Sequence, residues 1–275
     1  MVKKEAMSKG FIYLLLTLGA LLMLLPFVWM ISTSLKASNE VMIMPPQWIP
    51  GDFQWENYSK AFEVAPFARY AFNSIFVLIA STLGELITTI LAAYAFSRVQ
   101  FYGKNIIFAI LLGTMMVPGE VLLTPNFVTL VNLGWIDQYE ALIVPWLASI
   151  FSIFLLRQFF LGIPQELSYA AKIDGCSDFK FLWTIMVPLA KPALITIVIL
   201  KAIGSWNAFL WPLIVTNSEE MRTLPVGLTA FSTETGTVYE LLMAASTMII
   251  LPMIILYIIL QKYIIEGVAK TGLKG

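Results

Sequence analysis

Residues 165–192 read QELSYAAKIDGCSDFKFLWTIMVPLAKP, the longest stretch between two membrane-length apolar runs that carries both charge signs and keeps helical apolar spacing. Its first half opens on Pro164, puts Glu166 in the first turn and closes on Asp174-Gly175. Those are the marks of a short helix over 164–173 with glycine just past its end. Leu167, Ala170 and Ala171 recur at i, i+3 and i+4, a narrow face of small side chains that a groove would accept closely. In the second half Phe179, Leu182, Trp183 and Met186 recur at i, i+3, i+4 and i+7, bounded by Pro188. Two short amphipathic helices joined by glycine between apolar runs read equally as a docking element and as an ordinary interfacial loop.

Outward from this segment, the composition sets the class. Of 275 residues, 59% are hydrophobic and 12% charged, with a mean hydropathy of +0.83. A soluble domain carries about a quarter charged residues, so the chain is expected to be an all-α integral membrane protein. Seventeen basic and seventeen acidic residues cancel, so placement of charge carries the information. There is no histidine, which removes the commonest metal ligand and the easiest general base near neutral pH. No metal site and no catalytic residue are expected. The single Cys176 has no internal partner, and its place in the polar segment points to a reducing side. No Gly-x-x-x-x-Gly-Lys-Ser/Thr run occurs, so the chain does not itself hold ATP through a P-loop.

Six spans are expected, over about 11–31, 73–97, 105–125, 141–157, 192–215 and 241–260, in one transmembrane domain covering 1–275. Lys3, Lys4 and Lys9 precede the first run, which is too long for a signal peptide and includes Pro26, a candidate kink. Residues 32–70 hold Pro45-Pro46 and the aromatics Trp48, Phe53, Trp55 and Tyr58, the composition of an outer loop with interfacial anchors. Arg98 to Lys104 has two basic residues and no acid, which places it inside. Pro118 to Glu140 has three acids and no base, and Thr216 to Glu240 four acids and one Arg, which places both outside. Arg157 to Lys191 holds four bases and three acids, hence a cytoplasmic loop over 163–191. The tail, with Lys262, Lys270 and Lys274 against Glu266, falls inside too, so both termini are expected in the cytoplasm.

Two charges fall at membrane depth. Glu85 lies twelve residues into the second span, about 18 Å along a helix, and Lys201 nine residues past Pro192, about 13 Å. A lone charge near the middle of a hydrocarbon core about 30 Å thick costs about 2.5–3.5 kcal/mol even on the mild insertion scale. A Glu85–Lys201 pair or a shared wet cavity would relieve it, either as a tie between helices or as part of a substrate pathway. Trp206, Asn207, Phe209 and Trp211 supply ring faces and an amide, a mixture that suits sugars but also ordinary interfacial anchoring. Lys201, Gly204, Ser205 and Ala208 share one helix face, and the small residues among them suggest close helix packing.

The 165–192 stretch resembles the EAA loop of ABC importer permeases: Glu-Ala-Ala, three residues, Gly, nine residues, Ile-x-Leu-Pro. Here Ala170-Ala171, Gly175 and Ile185-Met186-Val187-Pro188 keep every interval, with Tyr169 in place of Glu and Val187 in place of Leu. Asn57-Tyr58, Tyr94-Ala95-Phe96-Ser97-Arg98, the run 111–120 ending Met-Val-Pro-Gly-Glu, and Leu156-Arg157-Gln158-Phe159-Phe160 resemble the second permease subunit of bacterial carbohydrate importers, the maltose and glycerol-3-phosphate type. From Ser32 almost to the end, including Tyr263 to Gly267 and Lys274-Gly275, the likeness holds.

That resemblance implies a type I ABC importer permease fold with six transmembrane helices in the bacterial inner membrane. It implies a second, different permease, two copies of a P-loop ATPase that bind ATP and magnesium, an external solute-binding protein, and a carbohydrate cargo. The chain itself needs no cofactor and meets lipid, not nucleic acid. Glu166, Ala170, Ala171, Asp174, Gly175 and Pro188 become the ATPase-coupling residues, and Glu85, Lys201, Trp206 and Asn207 the candidate substrate pathway. The main alternative is a self-contained secondary transporter using Glu85 and Lys201, although such proteins usually show internal repeats and none is evident here. An intramembrane enzyme lacks a catalytic constellation, and a membrane scaffold leaves the 165–192 segment unexplained.

Overall fold

Charge-free runs decide where the long helices form. In a computed structural model describing residues 2–233 and 236–272, with side chains for 9–233, 236–259 and 261, the regular structure is almost all helical. Among the described residues the single regular element that is not a helix is a hairpin of Ser232–Thr233 against Gly236–Thr237. Among the described residues four helices are long and apolar enough to cross a membrane: Lys9–Ser34, Phe67–Ser97, Tyr139–Leu161 and Tyr239–Ile259. Two bent helix pairs bring the number to six if each is one span. The side chains of Lys262, Lys270 and Lys274, on which the expected placement of the tail rests, lie outside the described residues.

The chain divides into two compact units, Met1–Phe67 with Gly227–Pro252, and Ala68–Val226 with Met253–Gly275. In the first, the helix Val2–Ser34 runs through Pro26 without interruption. Side chains from Phe11 to Val28 are all exposed, so this stretch is apolar on every face, as lipid contact requires. At its end the aromatic loop folds back. Ser32 Oγ donates to Trp48 O at 2.6 Å, and Asn57 Nδ2 donates to Ser34 O and Lys36 O at 3.0 and 2.9 Å. Lys36 Nζ sits 3.9 Å from the Trp29 ring centroid, while Trp29 meets Trp48 edge to face at 5.1 Å. Burial pushes this ammonium below its usual value, against the opposing pull of Glu40.

In the second unit, prolines mark where helices bend. The run expected as one span over 105–125 folds as Lys104–Thr114 and Gly119–Leu133 at 91° to each other. Pro118 has no N–H and disfavours the helical conformation at Val117, so the first helix closes in tight turns, Met116 N to Gly113 O and Val117 N to Thr114 O. Around Pro145 the fourth expected span changes from Tyr139–Ile143 to a tighter turn over Val144–Trp146, breaks at 147–149 and resumes as Ile150–Leu161. Ser149 caps the resumed helix by accepting from Ser152 N. The fifth ends at Trp206, before a separate short helix Leu210–Val215.

Polar ties hold these pieces. Asn73, fully buried, donates to Glu220 O and Arg222 O and accepts from the Tyr139 hydroxyl at 2.6 Å. Asp137 takes a left-handed φ of 63° and accepts from Asn217 N, Ser218 N and the Ser218 hydroxyl. Burial opposes its charge, but these donors outweigh burial and hold its carboxyl below the ordinary value.

Candidate functional site

The 165–192 segment is built as a capped element packed against the core. Its first helix spans Glu166–Ile173 and ends in a left-handed Gly175 with φ of 70°. Gly175 N bonds Lys172 O and Cys176 N bonds Ala171 O, the paired bonds of a Schellman ending, which satisfy carbonyls the helix leaves open. Nothing lies within 4 Å of a Cβ placed on Gly175, so backbone conformation rather than space calls for glycine there.

The expected face of Leu167, Ala170 and Ala171 is divided by the fold. Ala171 turns inward, whereas Leu167, Tyr169, Ala170 and Ile173 are exposed, Ile173 by 86%. Glu166, Asp174 and Pro188 are exposed as well. The second helix departs further from simple spacing. It runs Asp178–Phe181, opens into a wide turn over Leu182–Met186, and tightens again at Val187–Leu189. Val187 N bonds Leu182 O, five residues back, and Pro188 cannot supply the next ordinary bond. The extra residue in that turn shifts the register of the residues that follow it. Phe181, Leu182 and Met186 enter the core, while Phe179 and Trp183 remain outside in an edge contact of 6.1 Å.

The buried side of the segment is continuous with the spans. Ala171, Phe181 and Met186 share one core with Ala93, Leu156 and Ile197. Arg98, just beyond the helix Phe67–Ser97, donates to the Phe160 and Ile163 carbonyls leading into the segment. Arg157 donates to Phe96 O at 2.9 Å and lies 4.2 Å from the Phe108 ring centroid. The helix Lys191–Trp206 leaves the segment at a 77° bend beside Pro192.

That helix carries Lys201 to a cavity of about 470 Å³. Lys201 Nζ meets Glu85 Oε2 at 2.9 Å and donates to Trp146 O at 3.0 Å, and Ser152 donates to the other Glu85 oxygen at 2.7 Å. Thr88 donates to Leu147 O, and Trp211 Nε1 donates to Ala141 O at 2.9 Å. Non-helical backbone at membrane depth persists only where protein or a wet cavity satisfies it, and Thr88 and Lys201 serve the carbonyls of Leu147 and Trp146 at the break. A Cβ on Gly84 would stand 2.3 Å from Leu147 Cδ2, so glycine gives the break its room. Gly84→Ala is expected to force Leu147 into another rotamer and cost about 1 kcal/mol. A fall in the thermal unfolding midpoint of the purified protein checks this.

Glu85 and Lys201 are thus brought together, while the other two candidate pathway residues lie elsewhere. Trp206 is buried at the helix end outside the cavity lining. Asn207 donates back to Ile203 O and faces a smaller groove beside Met253 and Tyr257. The stripe Lys201, Gly204, Ser205 and Ala208 lines the cavity instead of packing against a helix, and a Cβ on Gly204 would meet nothing within 4 Å. Sequence reasoning passed over Trp146, Ser149, Ser152 and Thr223, which also line it. Pro145 inside an uncharged run was the available signal for the first three.

A multi-pass helical fold whose capped, exposed segment shares a core with the cavity lined by Glu85 and Lys201 is the arrangement expected of a membrane permease. The chain belongs to the family described as binding-protein-dependent transport system inner membrane component, which matches residues 86–270. It is 38% identical over 259 residues to the arabinooligosaccharides transport system permease protein AraQ of Bacillus subtilis strain 168, covering 93% of this chain and 92% of that protein. It is 33% identical to the sn-glycerol-3-phosphate transport system permease protein UgpE of Yersinia enterocolitica, covering 95% and 96%. A chain of a bacterial ABC transporter involved in import of the acidic polysaccharide alginate superposes with a TM-score of 0.83 at 28% identity, over 92% of this chain and 95% of that one. The fold is that of ABC importer permeases, and the chain is the non-catalytic transmembrane component of such an importer, of the bacterial carbohydrate type. The secondary-transporter alternative is thereby corrected: this family works with an ATPase and a solute-binding protein.

Proposed function

We propose that this chain forms a sugar pathway together with a second, different permease, driven by two copies of a P-loop ATPase and fed by an external solute-binding protein. The observation that carries the proposal is the continuous packing from the 163–191 segment to the cavity. Ile197 belongs both to the core that anchors the segment and to the cavity lining, one turn before Lys201. Leu167, Ala170 and Ile173 form the exposed contact for the ATPase, and the Schellman ending at Gly175 fixes the angle of that helix. When ATP closes the ATPase pair, the segment moves as a body and reorients the helices around the cavity. Both chain termini and the segment lie in the cytoplasm, in agreement with the excess of basic residues there. The AraQ, UgpE and alginate-importer likenesses support a carbohydrate or polyol cargo.

Purification of the tagged chain from native membranes, with mass spectrometry of retained proteins, tests the assembly. A second permease and a P-loop ATPase are expected in stoichiometric amounts. Recovery of the chain alone, under conditions that keep other membrane complexes intact, overturns the proposal.

A further inference from the structure

The second helix of the 165–192 segment keeps an exposed aromatic face that a contact with the first helix does not account for. Phe179 and Trp183, one turn apart, are 67% and 37% exposed and meet edge to face at 6.1 Å. Phe181, Leu182 and Met186 on the same helix are buried, in one core with Ala93, Leu156 and Ile197 of the spans. At 3.6 residues per turn Phe179 lies about 60° around the helix from Leu182, whereas Lys180 lies about 160° from it. One ring thus sits beside the buried face, with the ammonium on the opposite side. Lys180 and Lys191 are exposed, and neither is in an ion pair among the described residues. Aromatic rings flanking the span-facing side, with cations on the other, are the composition of a helix that lies in a membrane interface.

Connectivity sets its depth. Asp178–Leu189 joins Lys191–Trp206 through Ala190 alone, at 77°. Lys201, ten residues past Lys191, is about 15 Å along that helix, half of a hydrocarbon core about 30 Å thick. The joint at Ala190 therefore stands at the edge of the core. Phe179 lies twelve residues before Lys191, about 18 Å along a helix. At 77° to a span along the bilayer normal, that run changes depth by about 4 Å, less than the roughly 6 Å of headgroup region on each side. Both rings thus stay level with the headgroups, continuous with the lipid around the span.

We infer, resting on the importer reading of this segment, that the helix Asp178–Leu189 lies in the inner-leaflet interface with Phe179 and Trp183 sunk among the lipid chains, while the helix Glu166–Ile173 is left to the ATPase. The bilayer sets the depth of the second helix, and the turn at Gly175 sets the first relative to it.

The test uses the complex as purified, in lipid nanodiscs, with Cys176→Ala, which keeps the backbone N–H bonded to Ala171 O. A nitroxide is attached at Phe179→Cys or Trp183→Cys, and at Leu22→Cys as the lipid reference, exposed on the helix Val2–Ser34. At all three sites oxygen is expected to relax the label more than a water-soluble nickel complex does. Stronger relaxation by nickel at 179 and 183 overturns the inference, because the face is then in water. Shielding from both agents that ends when the ATPase is stripped overturns it too, because the ATPase is then the occupant. The native side chain is read with brominated-chain phospholipid: Trp183→Phe is expected to lose part of the lipid-quenched tryptophan emission, and an unchanged quenched component counts against the lipid contact. An ATPase that accompanies a chain with water-exposed labels leaves the importer reading standing and removes only the lipid contact. Lipid-exposed labels on a chain that never retains an ATPase do the reverse.

Discussion

Replacing Gly175 by Val is expected to abolish coupling between ATP hydrolysis and uptake while leaving the protein in the membrane. A β-branched residue at a φ of 70° faces strain of about 1–3 kcal/mol, and the chain relieves it by leaving the left-handed region. The bonds from Gly175 N to Lys172 O and from Cys176 N to Ala171 O are then lost, and with them the angle at which Leu167, Ala170 and Ile173 are presented. The open space around Gly175 means that no core residue is displaced, so expression and the spans survive. Gly175→Asn, which tolerates this conformation, serves as the matched control and is expected to retain most activity. ATPase rate and solute uptake in proteoliposomes, measured together, check this. Full uptake by the Val variant would show that the ending of this helix does not transmit motion.

The second large effect concerns the ion pair. Lys201→Met is expected to destabilise the protein by about 3–5 kcal/mol, because it strands Glu85 with only the Ser152 hydroxyl at membrane depth. Adding Glu85→Gln removes the stranded charge and is expected to restore most of the folded yield. Thermal unfolding across the four-member cycle separates the pair from its parts. Uptake separates its roles: a neutral pair that restores folding but not normal cargo selection marks a pathway function, whereas complete restoration of both marks a tie between helices. Equal stability of Lys201→Met and the unaltered chain would refute the pair as a structural element.

The local rules written into 165–192 were legible because a helix ending is a short-range matter. Glu166 in the first turn, Asp174 before glycine and the Ala pair require only neighbouring residues to act, and the helix Glu166–Ile173 and its left-handed Gly175 follow from them. The second helix was less legible. Its spacing grouped Phe179 with Leu182 and Trp183 with Met186, yet the core takes Leu182 and Met186 and leaves Phe179 and Trp183 outside, a choice set by which side chains the surrounding helices accept. The cavity divides the same way. Counting residues put Glu85 and Lys201 at similar depth, but rotation about the helix axis decides which residues share a space. Trp206 and Asn207, only five and six positions beyond Lys201, face elsewhere.

The sequence by itself therefore determined the class of solvent, the long apolar helices, the absence of histidine chemistry and the capped form of the exposed segment. Each follows from composition or from contacts within a few residues. The tertiary structure decided that Glu85 and Lys201 form a pair, that Thr88 and Lys201 satisfy the broken backbone near Leu147, and that Gly204 opens a space rather than closing one. These depend on groups brought together from distant positions, where the cost of an unsatisfied charge or carbonyl away from water selects one arrangement among the many that the local pattern permits.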